Sequence, residues 1–179
     1  MNKLNKKKIK KIGILGGTFD PPHQGHLHIS KIALKKFKLN RLIWVVTKKN
    51  PFKKKPYLSK NLRVKLSKEI TKNEKKIFIK YLDEKIKSQS TFYLLKYLKN
   101  KNRKDKLFFL IGADNLIKFH TWKNWKEIPS LAKIVVFARQ NYAVKSLKSK
   151  AAKNLDKKEW TYVKGKKINI SSSLIRKFW

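Results

Sequence analysis

Residues 16–27 read Gly16-Gly17-Thr18-Phe19-Asp20-Pro21-Pro22-His23-Gln24-Gly25-His26-Leu27. A short apolar run, Ile12–Leu15, comes just before and reads as a buried strand. The stretch Leu27–Phe37 comes after, with Leu27, Ile29, Ile32, Ala33, Leu34 and Phe37 recurring at helical spacing. The order is therefore strand, glycine turn, proline-stiffened loop, histidine pair, helix. Gly16 and Gly17 carry no Cβ, so a ligand can approach the backbone closely. A helix start offers free N–H groups and the positive end of the dipole, which suits phosphate. Two imidazoles three residues apart can address the same anion, and their N–H groups stabilise charge developing on phosphoryl oxygen. The stretch describes a site for nucleotide phosphates. His28 lies two positions from His26, off the shared helix face, and reads as a solvated or supporting histidine.

The rest of the chain repeats the alternation. Candidate strands are Ile12–Leu15, Leu42–Thr47, Ile77–Tyr81, Leu107–Ile111, Ile134–Ala138 and Trp160–Val163. Candidate helices are Leu27–Phe37, Leu62–Ile70, Thr91–Leu98, a short piece near Asp114–Phe119, and Ser172–Phe178. Asn50–Lys60 and Tyr142–Asp156 read as longer surface loops. This rhythm predicts an α/β fold, one Rossmann-like domain over residues 1–179 with a central parallel sheet flanked by helices. Ligands of such sheets bind outside the carboxyl ends of the strands, where the strand order reverses. The glycine turn and histidines follow the first strand, at such a place.

Composition narrows the function classes. The chain has 179 residues with no Cys, which excludes a disulfide framework and a thiolate metal site. No segment approaches the ~20 apolar residues of a membrane span, and the basic N-terminus lacks a signal-peptide core. The expected location is cytoplasmic. The formal net charge is +38, from 48 Lys plus Arg against 10 Asp plus Glu. Nearly all of it is Lys, spread over the whole chain, and Asn, Ile, Phe and Tyr are plentiful too. That bias fits A/T-rich codons better than a nucleic-acid reader, which leans on Arg for base contacts. The expectation is no specific nucleic-acid partner and only weak polyanion binding, lost steeply as salt is added. Tight binding to a particular RNA or DNA at physiological salt, measured by filter binding, would contradict it. The spacing G-x-G-x-x-G is absent, which disfavours a nicotinamide-dependent oxidoreductase. A metal cluster at His23, His26 and His28 lacks acidic partners beyond Asp20, so no protein-held metal is expected.

The motif G-G-T-F-D-P-P-H-x-G-H-L resembles the signature of the nucleotidylyltransferase superfamily, and specifically of bacterial nicotinate-nucleotide adenylyltransferases. Ile170-Ser171-Ser172-Ser173-Leu174-Ile175-Arg176 resembles that family's I-S-S-T-x-I-R, with Ser173 keeping the hydroxyl. Gly112-Ala113-Asp114-Asn115-Leu116 with Trp122 and Trp125 resembles its G-A-D-x-L…W…W stretch, and Asn50-Pro51-Phe52-Lys53 its N-P-x-K loop. The resemblance implies adenylyl transfer from ATP to nicotinate mononucleotide, giving deamido-NAD and pyrophosphate. It implies catalytic roles for His23, His26 and Arg176. It implies ATP contacts from Gly16, Gly17, Thr18, Phe19, Gly25, Asp114, Arg139, Ile170, Ser172 and Ser173. Lys53, Thr91 and Trp122 would face the mononucleotide, with Trp122 stacked on its pyridine ring and Trp125 in the core. Mg²⁺ would travel with ATP, bound chiefly by phosphate oxygens and water.

The serines and Arg176 make sense without the family. Serines at a helix start cap N–H groups, and an Arg one turn later can grip polyphosphate. One segment departs from the family pattern S/R-Y-T-x-D-T-L. Here it reads Gln89-Ser90-Thr91-Phe92-Tyr93-Leu94-Leu95, with Tyr93 for Asp and Leu94 for Thr. Neither Thr91–Leu95 nor the loop near Trp122 offers an acid to accept from an amide, and Lys123 follows Trp122. Nicotinate is therefore expected over nicotinamide. The alternatives are an adenylyltransferase for nicotinamide mononucleotide or phosphopantetheine, or a basic RNA- or membrane-surface-binding module on a vestigial nucleotide fold.

Overall fold

Strands of a parallel sheet are covered on both faces, so their sequences run continuously apolar instead of alternating. The computed structural model describes residues 8–49, 55–164 and 171–178, and it pairs those runs into one sheet. The first half runs β1 Lys11–Gly17, α1 Gln24–Lys36, β2 Arg41–Val46, α2 Lys60–Ile70 and β3 Ile77–Tyr81. The middle runs α3 Asp83–Ile86, α4 Thr91–Lys101, β4 Lys106–Gly112, α5 Ala113–Lys118, a 3-10 turn Phe119–Thr121, and α6 Ile128–Leu131. The last part runs β5 Lys133–Phe137, α7 Ala143–Leu147, α8 Lys150–Asn154, β6 Trp160–Val163, α9 Ser172–Ile175 and a 3-10 turn Arg176–Phe178.

The six strands are all parallel in the order β3-β2-β1-β4-β5-β6. The order reverses between β1 and β4, so a crevice opens beyond Gly17 and Gly112, the carboxyl ends of those strands. The central strands are buried along nearly their whole length, whereas β3 alternates, as an edge strand does. Two apolar layers result. On one face Leu27 and Ala33 of α1 meet Trp44, Val46 and Leu110, with Val64 and Ile70 of α2 alongside. On the other, Leu95, Leu116, Ile128 and Ala151 pack over Ile12, Ile14 and Ile134. No helix among the described residues is long and apolar enough to cross a membrane.

Helix boundaries differ from the sequence expectation in an informative way. Helix α1 begins at Gln24 rather than Leu27, with His23 as its N-cap residue. The backbone N–H of His23 donates to His26 Nδ1 at 3.2 Å, so an imidazole takes the place of the usual Glu of a capping box. Helix α2 begins at Lys60, because the Ser59 hydroxyl accepts from the N–H of Leu62. The expected helix at Ser172–Phe178 is α9 followed by a 3-10 turn. The stretch Tyr142–Asp156, expected as a loop, holds α7 and α8. Ser149 caps α8 by accepting from the N–H of Ala152, and buried Ser146 and Ala151 anchor the pair. Lysines interrupt the apolar period there, which hid two helices of five residues each. Helices α3 and α6, four residues each, also went unexpected.

Candidate active site

A cleft of about 600 Å³ lies at the reversal point, beyond the carboxyl ends of the strands. It gathers most of the residues the sequence singled out. Gly16, Gly17, Thr18 and Phe19 come from the end of β1 and the turn after it. His23, Gly25 and His26 come from the start of α1. Thr91 opens α4, Asp114 opens α5, and Trp122 follows the 3-10 turn. Arg139 follows β5, and Ser172, Ser173 and Arg176 belong to the C-terminal turns. Lys53 and Ile170, with the rest of the loop Asn50–Phe52, lie outside the described residues.

The glycine turn behaves as its residue type requires. A Cβ placed on Gly16 meets only the Phe109 ring, at 3.9 Å, and one on Gly17 meets the Phe19 ring at 3.6 Å. Both are ordinary contacts, so the turn leaves open space beside its backbone. Phe19 adopts φ 49°, unusual for a residue with a Cβ. Its ring is buried and stacked on Trp44 with centroids 4.8 Å apart, which holds the turn in that shape. Trp44 in turn donates to the Ser30 hydroxyl, and Ser30 donates to the carbonyl of His26, fixing α1 over β2.

His23 and His26 lie ring against ring, with centroids 3.8 Å apart. Because His26 Nδ1 accepts a backbone N–H, its proton in the neutral ring sits on Nε2. That makes Nε2 a hydrogen-bond donor without requiring a net charge. Burial, with Arg139 nearby, lowers the His23 pKa from 6.5 to about 4. His23 is thus neutral at pH 7. Its Nδ1 is buried with no partner among the described residues. The linkage has a definite sign. Unfolded His23 takes up a proton near pH 6.5 and folded His23 only near pH 4, so its stabilising contribution is complete above about 6.5 and is lost as pH falls toward 4. We expect a His23→Asn variant to lose less stability than the native protein between those two pH values, in Tm measurements on the unliganded protein. Parallel Tm–pH curves for the two proteins would contradict this.

The acidic and basic groups pair across the cleft. Arg139 Nη1 donates to Asp114 Oδ2 at 2.8 Å, leaving Asp114 Oδ1 buried and unpartnered among the described residues. Gly112 makes room for that carboxylate, since a Cβ there would stand 2.4 Å from Oδ1. Of the three serines, Ser171 caps α9, while the Ser172 hydroxyl donates to the carbonyl of Pro21 at 2.8 Å. The sequence expectation of several capping serines is corrected to one: Ser172 pins the C-terminal turns to the loop after β1. Arg176 donates to the Asp20 carbonyl, lies 3.5 Å from the Asp20 carboxylate, and stands over the Tyr57 ring. Trp122 is half-buried against Phe119 and Phe109, and Trp125 packs beside Phe119.

Three residues carry more than the sequence indicated. Asp20 is 4% exposed, and its carboxylate accepts from the N–H groups of Tyr57 and Leu58. Arg63 is 2% exposed and donates to the carbonyls of Thr18, Thr47, Lys48 and Leu58. Together they bind the ends of β1 and β2 to the turn at Tyr57–Leu58. Arg63 reaches partners up to 45 residues away in sequence and Asp20 one 156 away, so spacing gives no signal for them. His28, read from sequence as a solvated or supporting histidine, lines the cleft with its Nε2 buried, so the solvated alternative is excluded. Position 28 shares the inner side of α1 with Gly25, Ile29 and Ile32, a face set by the sheet beneath the helix rather than by the histidine pair.

The comparisons with known proteins agree with this geometry. A cytidylyltransferase-like family model matches residues 14–178. A probable nicotinate-nucleotide adenylyltransferase of Pelagibacter ubique (strain HTCC1062) is 47% identical, over 98% of this chain and 97% of its own. Another, of Ruegeria sp. (strain TM1040), is 38% identical over 79% of this chain and 75% of its own. Among solved structures, the Plasmodium falciparum nicotinic acid mononucleotide adenylyltransferase complexed with NaAD shares the fold, with a TM-score of 0.73 at 22% identity, over 94% of this chain and 83% of that one. A six-stranded parallel sheet reversing at β1 and β4, a histidine pair at the start of α1 and these relatives converge: the chain belongs to the cytidylyltransferase-like family and, within it, to the nicotinate-nucleotide adenylyltransferases.

Proposed function

We infer that this protein is an enzyme that transfers the adenylyl group of ATP to nicotinate mononucleotide, forming deamido-NAD and releasing pyrophosphate. The observation that carries the reading is the close pair His23–His26, rings tilted and 3.8 Å apart, beside an open glycine turn, with His26 Nε2 fixed as a donor by the backbone bond to Nδ1. The attacking group is the mononucleotide phosphate, already an anion, so no protein nucleophile is needed. Catalysis is positioning and charge stabilisation around an in-line displacement at the α-phosphorus. His26 donates to the α-phosphate as charge builds there, and His23 donates beside it. Arg176, with Ser172 and Ser173, receives the leaving pyrophosphate. Gly16, Gly17, Thr18, Phe19 and Gly25 shape the nucleotide bed. Asp114, oriented by Arg139, accepts ribose hydroxyls. Lys53 and Ile170 are proposed on their motifs alone, as is the assignment of 1–179 to a single catalytic domain.

Mg²⁺ fits this donor set as an ion that arrives on ATP. Among the described residues no three His, Asp or Glu side chains gather into a metal cluster, and the Asp20 carboxylate is engaged by two N–H groups and Arg176. When bound, the ion neutralises phosphate charge. ATP and nicotinate mononucleotide are soluble intracellular metabolites, so the proposal places the enzyme in the cytoplasm. The test is pyrophosphate release with Mg–ATP and a panel of nicotinate mononucleotide, nicotinamide mononucleotide and phosphopantetheine. Release with phosphopantetheine alone, or with none of the three, overturns the reading.

Choice of the acid over the amide follows from the far wall of the cleft. Trp122 offers a flat face to either pyridine. The ammonium of Lys123 stands 5.0 Å from the Tyr93 ring centroid. No described carboxylate lies within ion-pair distance of it. Tyr93, in the place of the family's Asp, thus holds Lys123 without neutralising it, and the charge favours a substrate carboxylate. We expect kcat/KM to be higher for nicotinate than for nicotinamide mononucleotide under identical Mg–ATP, and Trp122→Ala to weaken nicotinate mononucleotide binding. Equal values, or a higher value for the amide, would refute the preference while leaving adenylyl transfer intact.

A further inference from the structure

Helix α1 lines the cleft along one side with Gly25, His28, Ile29 and Ile32. Leu110 of β4, Phe137 of β5 and Val163 of β6 line the same cleft. Of these, Ile29 and Ile32 are apolar and lie C-terminal to the histidine pair along the helix, with Ile32 about 13 Å beyond His23 at 1.5 Å per residue, and the three strand residues add apolar wall. A cleft with phosphate donors at the start of a helix and aliphatic walls further along it suits a nucleoside triphosphate lying lengthwise. The base then sits between the aliphatic groups. Apolar walls hold any flat ring, so they cannot tell one base from another. That requires a hydrogen-bonding group at the ring's edge.

His28 is that group. Its side chain is half-buried, and Nε2 is fully buried with no hydrogen-bond partner among the described residues. Leaving such an atom unpaired is costly, and nearly all buried polar groups find a partner. We propose that His28 Nε2 hydrogen-bonds the edge of the adenine ring of ATP, making His28 a specificity-determining residue for the base. The inference rests on the reading of this cleft as the ATP site. A neutral imidazole nitrogen either donates to a ring nitrogen of adenine or accepts from its 6-amino group. Selection of adenine comes from the second arrangement, because guanine carries an acceptor oxygen at position 6 and offers no donor there, whereas a donated bond is open to the ring nitrogens of either base.

The test separates binding from support. In His28→Leu the orphaned nitrogen is replaced by an apolar side chain of similar bulk. The Tm of the unliganded variant should therefore equal or exceed that of the native protein. Its Tm gain on adding Mg–ATP should shrink, and KM for ATP should rise about tenfold, the scale of one hydrogen bond. KM for nicotinate mononucleotide should stay within about twofold and kcat should fall less than KM for ATP rises. His28→Gln, whose amide reaches a similar distance, should recover most of the ATP affinity. The preference for ATP over GTP should narrow in His28→Leu. An unchanged ATP-induced Tm gain and KM overturns the proposal. A lower unliganded Tm with both KM values raised also overturns it, because that marks a packing role. The Tm gain is read with ATP alone, so it stands or falls separately from the mononucleotide panel that tests the reaction.

Discussion

Replacing His26 with Ala lowers kcat by at least about 100-fold, the scale of losing one preoriented donor to developing negative charge. The expectation follows from a geometry in which one ring does two things. Its Nδ1 accepts the backbone N–H of His23 at the mouth of α1, and this bond leaves Nε2 as the donor. The substitution removes the donor and also the helix-capping acceptor, so part of any loss could come from fraying of the first turn. His26→Asn separates the two effects. Its short amide can still accept from the N–H of His23 but cannot place a donor where Nε2 stands. We expect His26→Asn to keep the native Tm within a few degrees while kcat remains reduced at least about 30-fold, intermediate in a series where the full loss is 10²–10³. Near-native turnover in a folded His26→Ala protein would remove His26 from the chemistry.

The second large effect concerns Arg63, which touches no reacting atom. Its guanidinium, 2% exposed, donates to the carbonyls of Thr18, Thr47 and Leu58 at 2.6, 2.7 and 3.1 Å and to that of Lys48 at 3.4 Å. Burial pulls its pKa down, and the charges of Asp20, Tyr81 and Asp83 oppose that; a guanidinium stays protonated in proteins. Arg63→Met leaves several buried carbonyls without donors, each worth about 1–3 kcal/mol. A loss of about 3 kcal/mol or more is expected, or roughly 6–12 °C in Tm for a domain of this size. Thr18 and Thr47 line the cleft, so KM for ATP should rise in the same variant. Arg63→Lys keeps the charge, but one ammonium cannot span three chain segments, and it should recover less than half of the lost stability. A native Tm in Arg63→Met would show that the loops hold themselves.

Much of the fold was legible because parallel strands are buried on both faces. Their apolar runs stand out even in a chain where lysine interrupts everything else, and all six appear in the structure within a residue or two of their expected ends. The alternation with helices then implied the doubly wound sheet. The short helices α3, α6, α7 and α8 were not legible. At four or five residues they have no period to read, and tertiary packing rather than propensity forms them. Trp125 shows a similar limit, since it packs against the core without being fully buried.

The candidate site divides the same way. The glycine turn, the histidine pair, Asp114, Trp122 and the Ser-Arg turn at the C-terminus are local patterns, and the structure brings all of them to one cleft. What each polar group faces is not local. Asp114 meets Arg139 across 25 residues, Arg176 meets Asp20 across 156, and Ser172 meets Pro21 across 151. Arg63 looked ordinary in sequence, Asp20 stood in the motif without a partner to read, and His28 read as either solvated or supporting.

The sequence by itself determined that a strand runs through a glycine turn into a helix bearing two histidines, and that five further strands follow, separated by helices as far as the fifth. Each of these depends on residues within a few positions of one another, where side-chain type and period set the conformation. Only the tertiary structure decided which strand ends adjoin and which charges pair. It alone also set which face of α1 looks into the cleft and which nitrogens are left without partners. Those outcomes depend on groups brought within a few ångströms from opposite ends of the chain. At that range burial strips water from a polar atom, and its pKa and partners are set by whatever the fold places beside it.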